Sequence, residues 1–226
     1  MKLANEEGDK KLKLDTNDLL KSIMKSLDRL EYIKTDEIPN TDLYMDQVTT
    51  LMDKKLRAVT RYPKEDKILT KTMINNYAKN DLLPPPIKKK YSKEHVLVLI
   101  FIYYFKSILS ISDIQTLLQP ITDKYFDNGK EFGLKDIYEE VFRMESAEIE
   151  MLKKDMMEKY EMAQSTFEGI PQEETEFLYQ FSFICLLSYD VYIKKLLIEK
   201  LIDDMKDKMP KTNGKADKKS EEVKEK

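Results

Sequence analysis

Apolar positions recur along this chain mostly at helical spacing. Leu19, Leu20, Ile23, Met24, Leu27, Leu30 and Ile33 form one stripe, which predicts a helix over 16–33 capped by Thr16 or Asn17. A connector marked by Pro39 runs through Asn40. Tyr44, Met45, Val48, Leu51, Met52 and Leu56 form a second stripe, ending before a polar loop at 61–67 that contains Pro63. Thr70 then caps a short helix whose apolar side is Met73, Ile74 and Tyr77. Leu82-Leu83-Pro84-Pro85-Pro86 stops it, because proline blocks helix continuation and restricts the residue before it. Ser92 is the expected N-cap of a helix containing Val96–Phe105, with Glu94 in its first turn. Ser110 and Asp113 resemble a capping box opening a helix at Ile111–Leu118, which Pro120 is expected to close.

The pattern changes further on. Leu134, Ile137, Val141, Met144, Ile149, Leu152, Met156, Tyr160 and Ala163 keep helical spacing with a slip between Met144 and Ile149, so no continuous coiled coil is expected. Gly169–Pro171 breaks the run, and Phe177–Met205 reads as one long helix. Its first half, FLYQFSFICLLSYDVYI, is apolar nearly all round, as a buried central helix would be. The tails at 1–13 and 210–226 are polar, charged and without apolar period, and are expected to be disordered.

Composition narrows the classes. The 226 residues suffice for one large or two small domains. Charge is high but balanced, with a net of −3, so nothing in the whole-chain charge draws it to nucleic acid or anionic membrane. Few glycines with abundant Leu, Ile, Lys, Glu and Met favour helix. The opening MKLANEEGDKKLKL lacks the apolar core of a secretory signal, and the longest apolar run, Val96–Phe105, is too short to span a bilayer. A cytoplasmic protein with no membrane role is expected. The single cysteine, Cys185, excludes an intramolecular disulfide and reads as a small buried apolar group. With one histidine, His95, the chain has no zinc-ligand set. No Gly-rich phosphate loop, nucleophile elbow or His-centred pair is present, so neither an enzyme nor a cofactor is expected. The acidic residues of 136–150 read as the solvated face of an amphipathic helix rather than as a catalytic or metal-binding set.

Local charge is more telling. Residues 67–93 hold seven Lys and one acid, Asp81, for a net of +6, whereas 131–180 hold 14 acids against 5 bases. Localised positive charge is what phosphate-backbone binding requires. If Thr70 caps its helix, Lys71, Thr72, Asn75, Asn76 and Lys79 share the arc opposite Met73, Ile74 and Tyr77. Asn makes paired hydrogen bonds to adenine, while Lys and Thr suit phosphate or mixed contacts. The same helix alone would also serve as an ordinary surface helix, and the lysine turn as a solvated loop.

In order and spacing, these parts resemble the winged-helix head of the MerR (mercury-resistance regulator) family. Thr70 takes the cap, Met73-Ile74-Asn75-Asn76-Tyr77 the recognition core, and Asp81-Leu82-Leu83-Pro84 the exit, with Asp81 where that family has Gly. Pro85–Lys90 stands for the wing, Tyr91-Ser92 starts the next helix, and Ser110-Ile111-Ser112-Asp113-Ile114 matches the last element. The stripe Tyr44–Leu56 would be the first helix of the helix-turn-helix. The resemblance covers roughly residues 44–119. Asn75 and Asn76 replace that family's Arg and first Tyr, and the wing is shorter. The chain is still more similar to an uncharacterised bacterial family, a domain of unknown function, that shares the Asn-Tyr…Leu-Pro-Pro-Pro-x-Lys-Lys-x-Tyr-Ser block.

The resemblance implies an all-α (mainly helical) protein with a small β-wing. A tail at 1–13 and an N-terminal helix at 14–38 precede a MerR-like winged helix-turn-helix at 39–125. A helical dimerisation or effector region at 126–209 and a tail at 210–226 follow. The expected function is a sequence-specific transcriptional regulator binding double-stranded DNA as a homodimer. The alternative is a helical protein–protein interaction module without DNA binding. Asn75, Asn76 and Thr72 would face bases, and Lys71, Lys79, Lys88, Lys89, Lys90 and Lys93 would contact phosphate. That family's metal sensing through cysteines is not expected with Cys185 alone. Tyr189 and Asp190 are candidate contacts for a small organic effector, although the aromatics around them, including Phe177, Phe181 and Phe183, also read as core.

Overall fold

A computed structural model describes residues 16–27, 32–167 and 169–209 of the chain. The expected tails at 1–13 and 210–226 lie outside the described residues, as does Leu30 of the first stripe. The architecture is mainly helical with one two-stranded antiparallel sheet. In chain order it runs α1 (Thr16–Leu27), β1 (Leu43–Tyr44), α2 (Met45–Leu56), α3 (Lys71–Lys79), β2 (Lys90–Tyr91) and α4 (Lys93–Phe105). Then come α5 (Ile111–Tyr125), α6 (Leu134–Arg143), α7 (Glu145–Gln164) and α8 (Gln172–Lys208).

The core is built around α4. Every residue from His95 to Ile102 is buried, which is why this helix has no polar face in the sequence. Val48, Met52 and Leu56 of α2, Ile74 and Tyr77 of α3, Ile114 and Leu118 of α5, and Leu134 and Tyr138 of α6 close around it. Phe101 meets Tyr138 edge-to-face at 5.5 Å between ring centroids, and Tyr138 packs on Phe142 at 4.5 Å. The Tyr138 hydroxyl donates to the Ile33 carbonyl at 2.7 Å, tying α6 to the segment that enters this core.

Four expectations need correction. The first stripe is helical only to Leu27 among the described residues, and Ile33 is buried in non-helical chain, because its place is against the core rather than on a helix. Pro120 does not end α5, which continues to Tyr125. The missing backbone donor costs one intrahelical bond. Ile121 and Tyr125 carry the apolar stripe of Ile114 and Leu118 onward into the core, and that packing outweighs the loss. The first half of α8 is not a buried central helix: Phe177, Phe181, Ile184, Tyr189, Val191 and Tyr192 are exposed. Cys185, expected to be buried, is exposed as well. The cause is that α7 covers α8 along one side only, through the Tyr160–Phe183 ring contact and the Lys159–Asp190 ion pair. No helix among the described residues is long and apolar enough to cross a membrane.

Candidate nucleic-acid interface

Helix α3 is set by its two ends. At the start, the Thr70 hydroxyl accepts from the Met73 backbone N–H at 3.2 Å, satisfying one of the donors a helix leaves open. At the finish, the Leu82 N–H donates to the Tyr77 carbonyl at 2.9 Å, with Asp81 between them in the left-handed region at φ 55°. This is a Schellman closure with Asp in the position usually given to Gly. Leu82 and Leu83 are buried and anchor the proline turn that follows. Between these ends Ile74 and Tyr77 are buried, and Lys71, Thr72, Asn75, Asn76 and Lys79 are exposed. Thr72, Asn75, Asn76 and Lys79 stand at i, i+3, i+4 and i+7, which places them on one face.

The lysine turn is a two-residue β-hairpin. Ile87 and Lys90 exchange both backbone hydrogen bonds, at 3.1 and 2.9 Å, and the loop residues Lys88 and Lys89 have φ of 50° and 64°. Positive φ at both central positions is the geometry that favours Asn-Gly. A left-handed residue other than Gly costs roughly 1 kcal/mol, so the tip holds its lysines against a local preference. Strand β2 continues from the hairpin and pairs with β1, Leu43 opposite Tyr91 and Tyr44 opposite Lys90.

Behind the hairpin sits His95, a positioning residue that sequence reasoning considered only as a metal ligand. Its Nδ1 accepts from the Ser92 backbone N–H at 3.0 Å and lies 2.8 Å from the Ser92 hydroxyl. A backbone donor on Nδ1 places the ring proton on Nε2, which faces the Pro85 carbonyl at 3.4 Å. The ring packs edge-on against Tyr91 and Phe126, at 5.5 and 4.8 Å. Burial holds its pKa below the usual histidine value, against the raising effect of the Pro85 and Pro84 carbonyls. His95 therefore stitches the start of α4 to the proline turn. Ser92-x-x-His95 at a helix start, a capping box with His in the third place, was the readable signal.

The predicted phosphate contacts divide into two groups. Lys71 pairs with Asp46 in the first turn of α2, Lys93 donates to Asn40 at 3.0 Å, and Lys90 lies over the Tyr44 ring at 5.4 Å. Lys79, Lys88 and Lys89 have no side-chain partner among the described residues and are exposed. The Lys71–Asp46 and Lys90–Tyr44 contacts bring the start of α3 and the base of the hairpin to the same end of α2. The Lys79 end of α3 lies by α5, where Gln115 donates to the Asn80 carbonyl at 3.2 Å. Arg57–Thr70 separates α2 from α3, far longer than the three- or four-residue turn of a simple helix-turn-helix.

The other predicted residues lie elsewhere. Tyr189 is exposed on α8. The Asp190 carboxylate sits between Lys194 at 3.1 Å and Lys159 at 3.5 Å. The hydrogen bond from Lys194, with Lys159 adding to it, holds its pKa below the ordinary carboxylate value. A cleft of about 580 Å³ opens in the head, lined in part by Leu56, Lys67, Tyr103, Tyr104 and Lys106. There Lys106 donates to the Ile68 carbonyl at 2.6 Å, and burial lowers its pKa.

No curated protein and no solved structure matches the chain. One family model does match, over residues 33–141, a stretch that begins at Ile33 and takes in α2 to α6 with the Tyr138 tie that closes it. That stretch is similar to the family described as Domain of unknown function (DUF1836).

Proposed function

We propose that the 33–141 head binds double-stranded DNA and that the protein is a sequence-specific transcriptional regulator working as a homodimer. The observation that carries this reading is the pairing of an exposed α3 face, Thr72, Asn75, Asn76 and Lys79, with a hairpin tip that holds Lys88 and Lys89 in left-handed backbone. The two-residue turn itself requires positive φ at both positions, and lysine in place of Asn or Gly there points to a use for its charge. On this reading α3 enters the major groove, where Asn75 and Asn76 reach base edges, and the hairpin lies on the flanking phosphates. Lys79, Lys88 and Lys89 carry most of the phosphate contact. Lys71 contributes after exchanging Asp46 for phosphate, whereas Lys90 and Lys93 chiefly hold the hairpin in place. A single short helix reads too few bases for high specificity, so two copies are required.

The test is a gel shift with fragmented genomic DNA at low salt, followed by a salt titration. Lys88→Ala with Lys89→Ala should weaken binding to all fragments alike and flatten the plot of log affinity against log salt by about 1 to 2. Asn75→Ala should erode discrimination between fragments by roughly 1–3 kcal/mol while leaving the salt slope unchanged. Absence of any duplex binding by the wild-type chain at low salt would reject the reading. The competing reading, a helical interaction module without DNA affinity, draws on the exposed apolar side of α8. A stable complex with another protein in a pull-down, together with a negative gel shift, would favour it.

A further inference from the structure

The exposed side of α8 follows a rule. Phe177, Phe181, Ile184, Ser188 and Val191 are spaced 4, 3, 4 and 3, the a/d seam of a heptad repeat. Continued through Lys195, the same seam reaches Ile198 and Ile202, which pack into the head core where α8 crosses α5. One stripe is thus buried where the chain supplies a partner helix and open where it does not. The opposite side of α8 is already occupied by α7, through Phe183 and Asp190, and by Thr166 just past the end of α7, through Ser182.

The open part is large. Phe177 is 69%, Phe181 53%, Ile184 59%, Val191 57% and Tyr192 60% exposed. At about 150–250 Å² per large side chain, these residues leave roughly 600 Å² of apolar surface uncovered. That is at the upper limit of about 300–600 Å² for a monomer's largest patch, and it approaches the ~800 Å² per partner of a standard interface. Over 177–193 the only charged residue of α8 is Asp190, which points to α7 and its Lys159. The open stretch of the seam from Phe177 to Val191 therefore contains no charge to desolvate and none to recognise an acidic or basic partner.

We infer that this seam is where two copies of the chain pair, α8 against α8, with the two α7 helices outside. A heptad seam is complementary to another of the same kind, and a second copy supplies one by two-fold symmetry. Cys185 follows Ile184 on the flank of the seam, beside the midpoint of the open span, so antiparallel overlap places the two Cys185 side chains on the same flank and parallel overlap places them on opposite flanks. The inference bears on the two-copy part of the proposed function and not on its DNA part.

Sedimentation of the full chain, without DNA, tests it. The wild type should sediment at twice the 26.8 kDa chain mass at about 10 µM. Ile184→Glu should raise the dissociation constant at least ~100-fold while helical content and unfolding at high dilution are kept. Met151→Glu, on exposed α7, should leave the mass unchanged. A wild-type monomer at about 100 µM would overturn the inference, as would an Ile184→Glu dimer that still forms like the wild type. A dimer with no DNA binding would remove only the DNA reading.

Discussion

Helix α4 and the first half of α8 both carry apolar residues on nearly every face, yet α4 is buried on all sides and α8 is open along one. The difference lies in the neighbours. Around α4 the chain brings up α2, α3, α5, α6 and the β2 strand. Among the described residues, it brings against the first half of α8 only α7 and the turn that follows α7. Hydrophobic burial has no direction of its own, so an all-round apolar helix specifies that it needs partners without specifying whose. The chain satisfies α4 from within and leaves one side of the first half of α8 open.

The contrast can be broken most forcefully in the core. Ile100→Ala should lower unfolding free energy by about 2–5 kcal/mol, since that side chain is fully buried in α4. Ile184→Ala should change single-chain unfolding at high dilution by no more than about 0.5 kcal/mol. It should instead weaken the rise of Tm with protein concentration that an associating chain shows. Equal losses from the two changes in chemical denaturation would mean that α8 is part of the folded core.

Next in size is the α3 cap. Thr70→Ala removes the acceptor for the Met73 N–H and should cost about 1 kcal/mol, read as a lower denaturant midpoint at constant m. DNA affinity should fall with it if α3 is the reading helix.

The His95 stitch should make the stability of the head depend on pH. Burial depresses its pKa from the unfolded value of 6.5, so the folded state takes up a proton less readily than the unfolded one. The stabilising contribution is complete above pH 6.5 and is lost as pH falls toward the lower folded value. A protonated Nδ1 would also set an N–H against the Ser92 N–H. Thermal melts between pH 7.5 and 5 should show Tm falling on acidification in wild type, with a smaller fall in His95→Gln. An equal slope in both would remove His95 from the account.

The smallest effect concerns the hairpin. Lys89→Gly should stabilise the head by a few tenths to about 1 kcal/mol, because Gly takes φ 64° without the side-chain penalty. The same change should weaken DNA binding by removing a cation. Stabilisation with unchanged binding would leave the strained tip without its proposed use.

Much of this fold was legible in the sequence because the relevant forces are local. Thr70, Ser92 and Ser110 open the helices predicted for them, the slip at Met144 is the break between α6 and α7, and Gly169–Pro171 precedes α8. The exposed arc of α3 and the left-handed Asp81 were also readable, since a nine-residue helix leaves only one face for Ile74 and Tyr77. The lysines were less so. Lys71 and Lys93 carry the same charge as Lys88 and Lys89, but their partners Asp46 and Asn40 lie far away in sequence. Pro120 misled because the rule that proline ends helices concerns backbone hydrogen bonds, and Ile121 and Tyr125 answered it with packing.

The sequence by itself determined the helices, their caps, the concentration of positive charge between 67 and 93, and the demand of α4 and α8 for apolar surroundings. These depend on residues within a few positions of one another. Only the tertiary structure decided which demand is met inside the chain, which lysines stay unpartnered, and that a two-residue turn presents Lys88 and Lys89 at its tip. Those outcomes depend on contacts between residues tens of positions apart, and periodicity carries no information about them.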